Sequence, residues 1–133
     1  MKRGFKFDPS KNLIVVDAEI WSADGNYSHI IPLALDTGAS TTIIPWEIIE
    51  YLGYAPHTVP GSMRKQIVTG SGIEFVPEVS VTAFQSLGKT AKFMPVYCHD
   101  LPQACFVSGL LGLNFLRGSK LTIDLKEGLV SLL

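Results

Sequence analysis

A mostly β fold carrying one or two short helices is what this sequence predicts, and three observations carry the prediction. Short runs rich in β-branched residues recur along the chain, among them "LIVV", "SVTAF" and "KLTID". Turn clusters of Gly, Pro, Asp and Asn separate them, and the pair Asp24-Gly25 is a strong hairpin signal. Helical signals are confined to two stretches, one opening at Pro45 and one around Leu113 to Leu116.

The elements follow in order. A strand is expected over "NLIVVDAEIW", from Asn12 to Trp21, ending at the turn "SADGN". "SHIIPLALD" returns as the next strand, and its nearly unbroken apolar character predicts cover on both faces. Pro32 within it argues against full ladder pairing at that point. "TTIIP" is a short strand, after which Pro45 opens a helix over "WEIIEYLG" with Gly53 as its stop. "APHTVPG" reads as a loop. "RKQIVTGSGIEFVPEVSVTAF" forms two extended arms about "TGSG", whose glycines permit the positive φ of a tight tip. "TAKFMPVYC" is a further strand, and "LPQACFVSGLLGLNFLRG" holds the second helix. "KLTIDL" alternates cleanly, and "KEG" turns it into a last apolar strand, "LVSLL". Neither repeat nor linker nor low-complexity segment interrupts the chain, so residues 1–133 are expected to form a single domain.

Composition narrows the function. A chain of 133 residues buries a core without staples, and with 47% apolar and 17% charged residues it is a folding chain. The net charge of −1, without a basic run, gives no footing for a nucleic-acid partner. The longest apolar runs are far too short to span a membrane. "MKRGFKFDPS" is followed by no apolar stretch of signal-peptide length, so a cytoplasmic location is the expectation. Two cysteines do not make a disulfide scaffold. Cys98, His99 and Cys105 fall one donor short of a structural zinc site, with His29 and His57 in unrelated segments, so no metal is expected. Phosphate loop, dinucleotide fingerprint and Ser-His-Asp ordering are all missing, and no cofactor is called for. Trp21 and Trp46 read as packing residues.

The stretch that carries chemistry is "PLALDTGASTTIIP", Pro32 to Pro45. An apolar strand leads directly to the carboxylate of Asp36, followed by Thr37, Gly38, Ala39 and Ser40. A buried carboxylate is costly unless it is paired or protonated, so its placement asks for a partner. Ala34 and Leu35 precede the acid, and "LLG" at Leu110 to Gly112 stands far downstream before the second helix. The glycine-bearing hairpin near Gly70 and Gly72 falls between the two. In this order, from about Leu13 to the C-terminus, the chain resembles the retropepsin-like, single-lobe aspartic peptidases. The resemblance implies a closed β-barrel-like fold and hydrolysis of peptide bonds in a peptide or protein substrate. In that chemistry one carboxylate takes a proton from water while a second, protonated carboxyl polarises the scissile amide, the pair sharing one proton. It implies Asp36 as the catalytic acid and Thr37 and Gly38 as its support. Gly38 would let the backbone turn closely, and the Thr37 hydroxyl would lock the loop from below. Substrate would meet Ala39, Ser40, the flap residues Thr69, Gly70, Ser71 and Gly72, and Leu111. Ser40 stands where many retroviral enzymes carry an aspartate, and the flap lacks their longer glycine series, so subsite preference and flap closure are not carried over.

The second carboxylate decides the assembly. Asp8, Asp17, Asp24, Asp100 and Asp124 are not followed by Thr-Gly or Ser-Gly, and the chain is too short for two lobes. A homodimer is therefore expected, with Asp36 facing its own copy. Leu129 to Leu133 either form an intersubunit sheet or close the monomer's own core. Against the peptidase stands a non-catalytic dimeric scaffold or peptide binder, in which Asp36 is a turn acid and "TGSG" a plain hairpin tip.

Overall fold

The computed structural model describes residues 4–69 and 72–133. Its elements are β1 (Phe5–Lys6), β2 (Val15–Trp21), β3 (Ser28–Leu35), β4 (Ile43–Ile44), α1 (Trp46–Tyr51), β5 (Lys65–Thr69), β6 (Gly72–Val76), β7 (Glu78–Ser86), β8 (Lys89–Cys98), β9 (Leu110–Leu111), α2 (Leu113–Leu116), β10 (Leu121–Asp124) and β11 (Leu129–Leu132). Single 3₁₀ turns at Pro56–Thr58, Gly61–Met63 and Gln103–Cys105 punctuate the loops.

Six strands close into a barrel in the order β2-β3-β9-β4-β8-β7. The β2–β3 hairpin pairs in full, from Val15↔Ala34 to Trp21↔Ser28, and Pro32 sits opposite Asp17 without breaking the ladder. The reason is parity. Ala34 donates its N–H to Gly109 on the far side of β3, so the nitrogen of Pro32, two residues earlier, points to that same side. Beyond Pro32 that edge has no paired strand, because β9 pairs only with Ala34 and Leu35, so the missing N–H costs nothing. β2 itself begins at Val15, later than the pattern suggested, after a turn in which Asp8 accepts from the N–H and hydroxyl of Ser10.

Inside the barrel, Ile20, Leu33, Ile44, Val81, Phe84, Val96 and Leu111 are wholly buried. Burial of side chains of this size contributes roughly 1.5–3 kcal/mol each. Helix α1 starts after Pro45 as expected, and Asp100 caps it from another segment by accepting the Trp46 N–H at 2.9 Å. Gly53 ends it with φ at +86°, donating to the Glu50 carbonyl. Helix α2 lays Phe115 against Phe84, ring centroids 5.0 Å apart. Lys89 Nζ donates to the Phe115 and Arg117 carbonyls, holding the helix's open C-terminal end onto the barrel.

The chain's ends meet in a separate sheet of order β1-β11-β10. β11 lies in its middle, paired with β10 over its whole length and with β1 at Leu129 and Val130. Leu133 and Lys120 exchange both of their backbone hydrogen bonds, and Val130 is fully buried. Val130 and Leu132 therefore pack on their own chain's core, while Leu133 is exposed. An intersubunit strand at Leu129 and Val130 is ruled out, since both of their edges are already bonded within the chain.

Candidate active site

The Asp36 loop is built where two strands run side by side. β3 and β9 are parallel, with Ala34 beside Leu110 and Leu35 beside Leu111, and the Asp36 N–H donates to the Leu111 carbonyl at 3.0 Å. Asp36 thus leaves the barrel rim with its main chain tied down and its side chain half-buried. The chain then turns sharply. Asp36 Oδ1 accepts the Gly38 N–H at 2.8 Å, and the Asp36 carbonyl accepts the Ala39 N–H. A Cβ on Gly38 would stand 3.1 Å from Asp36 Oδ1, so any side chain there presses on the carboxylate.

Below the turn, helix α2 holds the loop. Its first N–H groups have no partner inside the helix. Leu113 donates to the Ala39 carbonyl at 2.8 Å and Asn114 to the Ser40 carbonyl at 3.1 Å. The Asn114 side chain completes the lock. Its Oδ1 accepts both the N–H and the hydroxyl of Thr42, each at 2.9 Å, while its Nδ2 donates to the Pro95 carbonyl at 2.7 Å. The Thr42 hydroxyl also accepts the Gly112 N–H at 3.1 Å. Thr37 is exposed, and its side chain makes no hydrogen bond among the described residues. Within the chain, Thr42 and Asn114 lock the loop.

Leu111 is corrected as well. Its side chain is fully buried in the core, so it supports Asp36 through its carbonyl and cannot meet a substrate. Alternation along β9 gives the exposed role to Leu110, which faces a cleft of about 590 Å³. The opposite wall is the β5–β6 hairpin, whose pairs Ile67↔Glu74 and Thr69↔Gly72 set Ile67, Thr69 and Glu74 on one face. Thr69 closes the hairpin by donating its hydroxyl to the Gly72 carbonyl. Gly72 takes φ +122°, the conformation expected of a glycine tip, while Gly70 and Ser71 lie outside the described residues. Ala39 is half-buried and Ser40 exposed on the loop beside Asp36.

The other aspartates have structural tasks. Asp24 accepts from the Ser22 hydroxyl and the Asn26 N–H, which hold its carboxyl below the usual range. Asp124 fastens the final turn through the Lys126 and Glu127 N–H groups, and Asp8 and Asp100 hold the turn and cap already described. Asp17 is exposed on β2, and its carbonyl accepts the Ser86 hydroxyl.

A family model described as aspartyl protease matches residues 21–115, a span containing the Asp36 loop, the hairpin and the α2 lock. The chain belongs to the aspartyl protease family. Among solved structures, a retropepsin-like aspartic protease from Rickettsia conorii matches with a TM-score of 0.71 and 19% identity, covering 99% of this chain and 89% of that one. The fold of this aspartyl protease is the retropepsin-like single-lobe one. No curated protein matches the sequence. No helix among the described residues is long and apolar enough to cross a membrane.

The cysteines of the aspartyl protease differ in kind. Cys98 is buried in the core, and burial, followed by the nearby charges of Asp100 and Glu50, pushes its thiol up to about 12. Cys105 is exposed at the cleft. Since the thiolate is the nucleophile, iodoacetamide at neutral pH is expected to modify Cys105 alone in the folded protein and both thiols in denaturant, read as intact mass.

Sequence reasoning passed over Thr42, Asn114, Glu74 and the cleft-facing role of His99. A signal for Asn114 was present, since it is the one polar side chain inside the apolar turn "LGLNFL". Nothing in the sequence marked Thr42 apart from Thr41.

Proposed function

We propose that residues 1–133 form one retropepsin-like domain acting as an aspartic endopeptidase, with Asp36 and Asp36 of a second copy as the proton-sharing pair. Asp36 takes the catalytic role, Thr37 and Gly38 flank it, and Ala39, Ser40 and the Thr69–Gly72 tip meet the extended peptide. One observation carries this reading: among the described residues, Asp36 is the sole aspartate presented on a hydrogen-bonded glycine turn at the barrel rim, while most of the others are spent on turns and caps. One such acid per chain is half of the required pair, and two-fold pairing supplies the other half. The Thr37 hydroxyl, left outward by the Thr42 and Asn114 lock, is free to bond across the dyad axis. An intact catalytic acid favours the peptidase over a scaffold of the same fold, which has no chemical use for it.

A mixing experiment tests the assembly. Wild-type chain is blended with Asp36→Asn chain, subunits are allowed to exchange, and cleavage of a diverse peptide mixture is followed. At one part wild type to three parts variant, a shared dyad leaves about one-sixteenth of the all-wild-type rate, because both copies in a pair must carry the acid. A proportional fall, to about one quarter, means that each chain works by itself and sinks the dimer reading.

A further inference from the structure

The cleft between the β5–β6 hairpin and the barrel rim has an apolar floor and an acidic lip. Ile43 and Leu110 of the barrel rim and Ile67 of the hairpin form the floor, in a space that accommodates a long side chain. The charged groups lining it are Glu74, His99 and Asp100, with neither lysine nor arginine among them. Asp100 is engaged by the Trp46 N–H. His99 is anchored to the rim, donating its own N–H to the Ile44 carbonyl at 3.1 Å, and its side chain is largely enclosed. Its Nε2 lies 3.2 Å from Glu74 Oε2. Glu74 is different. It projects from β6, its side chain is 46% exposed, and His99 is its only side-chain partner among the described residues. A carboxylate offers about four acceptor positions, so most of its capacity stays open to a ligand.

An apolar slot ending in an available carboxylate suits a side chain with a hydrocarbon stem and a cationic head. We propose that this cleft receives a lysine or arginine side chain of the substrate, with Glu74 as the residue that selects it. The proposal rests on the peptidase reading for its substrate class. The stem lies on Ile43, Ile67 and Leu110, and the head bonds Glu74 at the mouth. His99, whose Nε2 lies against the same carboxylate, competes with that head for it.

The test uses peptide sets identical except for lysine, arginine, norleucine or glutamate at each position in turn. Cleavage is measured with the full chain, Glu74→Gln, Glu74→Asp and His99→Gln. Binding is measured separately with the Asp36→Asn chain, alone and combined with Glu74→Gln, so that no turnover is needed. At one position lysine and arginine are expected to exceed norleucine by about fivefold, the worth of a half-exposed ion pair. Glu74→Gln abolishes that preference, Glu74→Asp keeps part of it, and His99→Gln keeps or enlarges it. A basic preference that survives Glu74→Gln overturns the proposal, as does a preference for norleucine or glutamate. If nothing is cleaved, a Glu74-dependent binding preference for basic peptides upholds the cleft while the peptidase reading falls. Cleavage abolished by Asp36→Asn but indifferent to Glu74 upholds the peptidase and overturns the cleft. Glu74 is exposed on the hairpin, so unchanged thermal midpoints are expected for its variants.

Discussion

Replacing Asp36 by asparagine is expected to lower peptide cleavage by at least about 10³-fold, roughly 4 kcal/mol of transition-state stabilisation, while leaving the fold intact. Asparagine keeps the contacts that shape the loop. Its side-chain oxygen still accepts the Gly38 N–H, now made by Asp36 Oδ1 at 2.8 Å, and the Asp36 N–H still reaches the Leu111 carbonyl. Loop shape is thereby conserved. What disappears is proton exchange: an amide neither takes a proton from water nor holds the one the pair must share. The measurement is cleavage of a peptide mixture from acidic to neutral pH, beside thermal unfolding and solution mass. Equal cleavage by both proteins assigns the chemistry to another group.

The second large effect is structural. Gly112→Ala is expected to destabilise the chain by about 3 kcal/mol, lowering the thermal midpoint by roughly 10 °C, and to remove activity even where the chain still folds. A Cβ at this position would lie 2.7 Å from the Thr41 carbonyl carbon and 2.9 Å from the carbonyl oxygens of Ala39 and Thr41. Each of those atoms is backbone, and that backbone is the return arm of the Asp36 loop. No rotamer change relieves such a clash. The loop must move away from α2, which pulls on the bonds from Leu113 to Ala39, from Asn114 to Ser40 and from Gly112 to Thr42. Urea unfolding monitored by tryptophan fluorescence reads the stability, and peptide cleavage below the new midpoint reads the loop. A variant of wild-type stability and activity would show that the loop and the helix do not depend on this contact.

Much of this was visible before any coordinates. Gly25 and Gly53 both take the positive φ that their places in the turn and at the helix end predicted. The helix at Leu113 to Leu116 lies where the glycine-bounded apolar stretch put it, and the strands fall on the β-branched runs. These are local matters, fixed by a residue's own φ/ψ freedom and by the period of the apolar pattern. Leu111 and Leu110 mark the limit of that reading. The pair was legible as a motif, but which leucine faces the core depends on the β3–β9 register, and a slip of one residue exchanges them. Pro32 is a similar case: a ladder break was expected, and only the neighbouring strands reveal that its nitrogen faces an unpaired edge.

The strand-and-turn order, the two short helices and the Asp-Thr-Gly turn at the end of an apolar strand are legible from the residues alone. All of these are written in adjacent residues. Only the assembled barrel shows that Asn114 and Thr42 lock that turn, that Leu129 and Val130 are paired on both edges within their own chain and that Glu74 meets His99 across the cleft. Thr42 and Asn114 are 72 positions apart, and no local preference encodes a contact between them. Such pairs exist only once the barrel closes and brings distant strands to one rim, where each side chain's neighbours follow from register and burial.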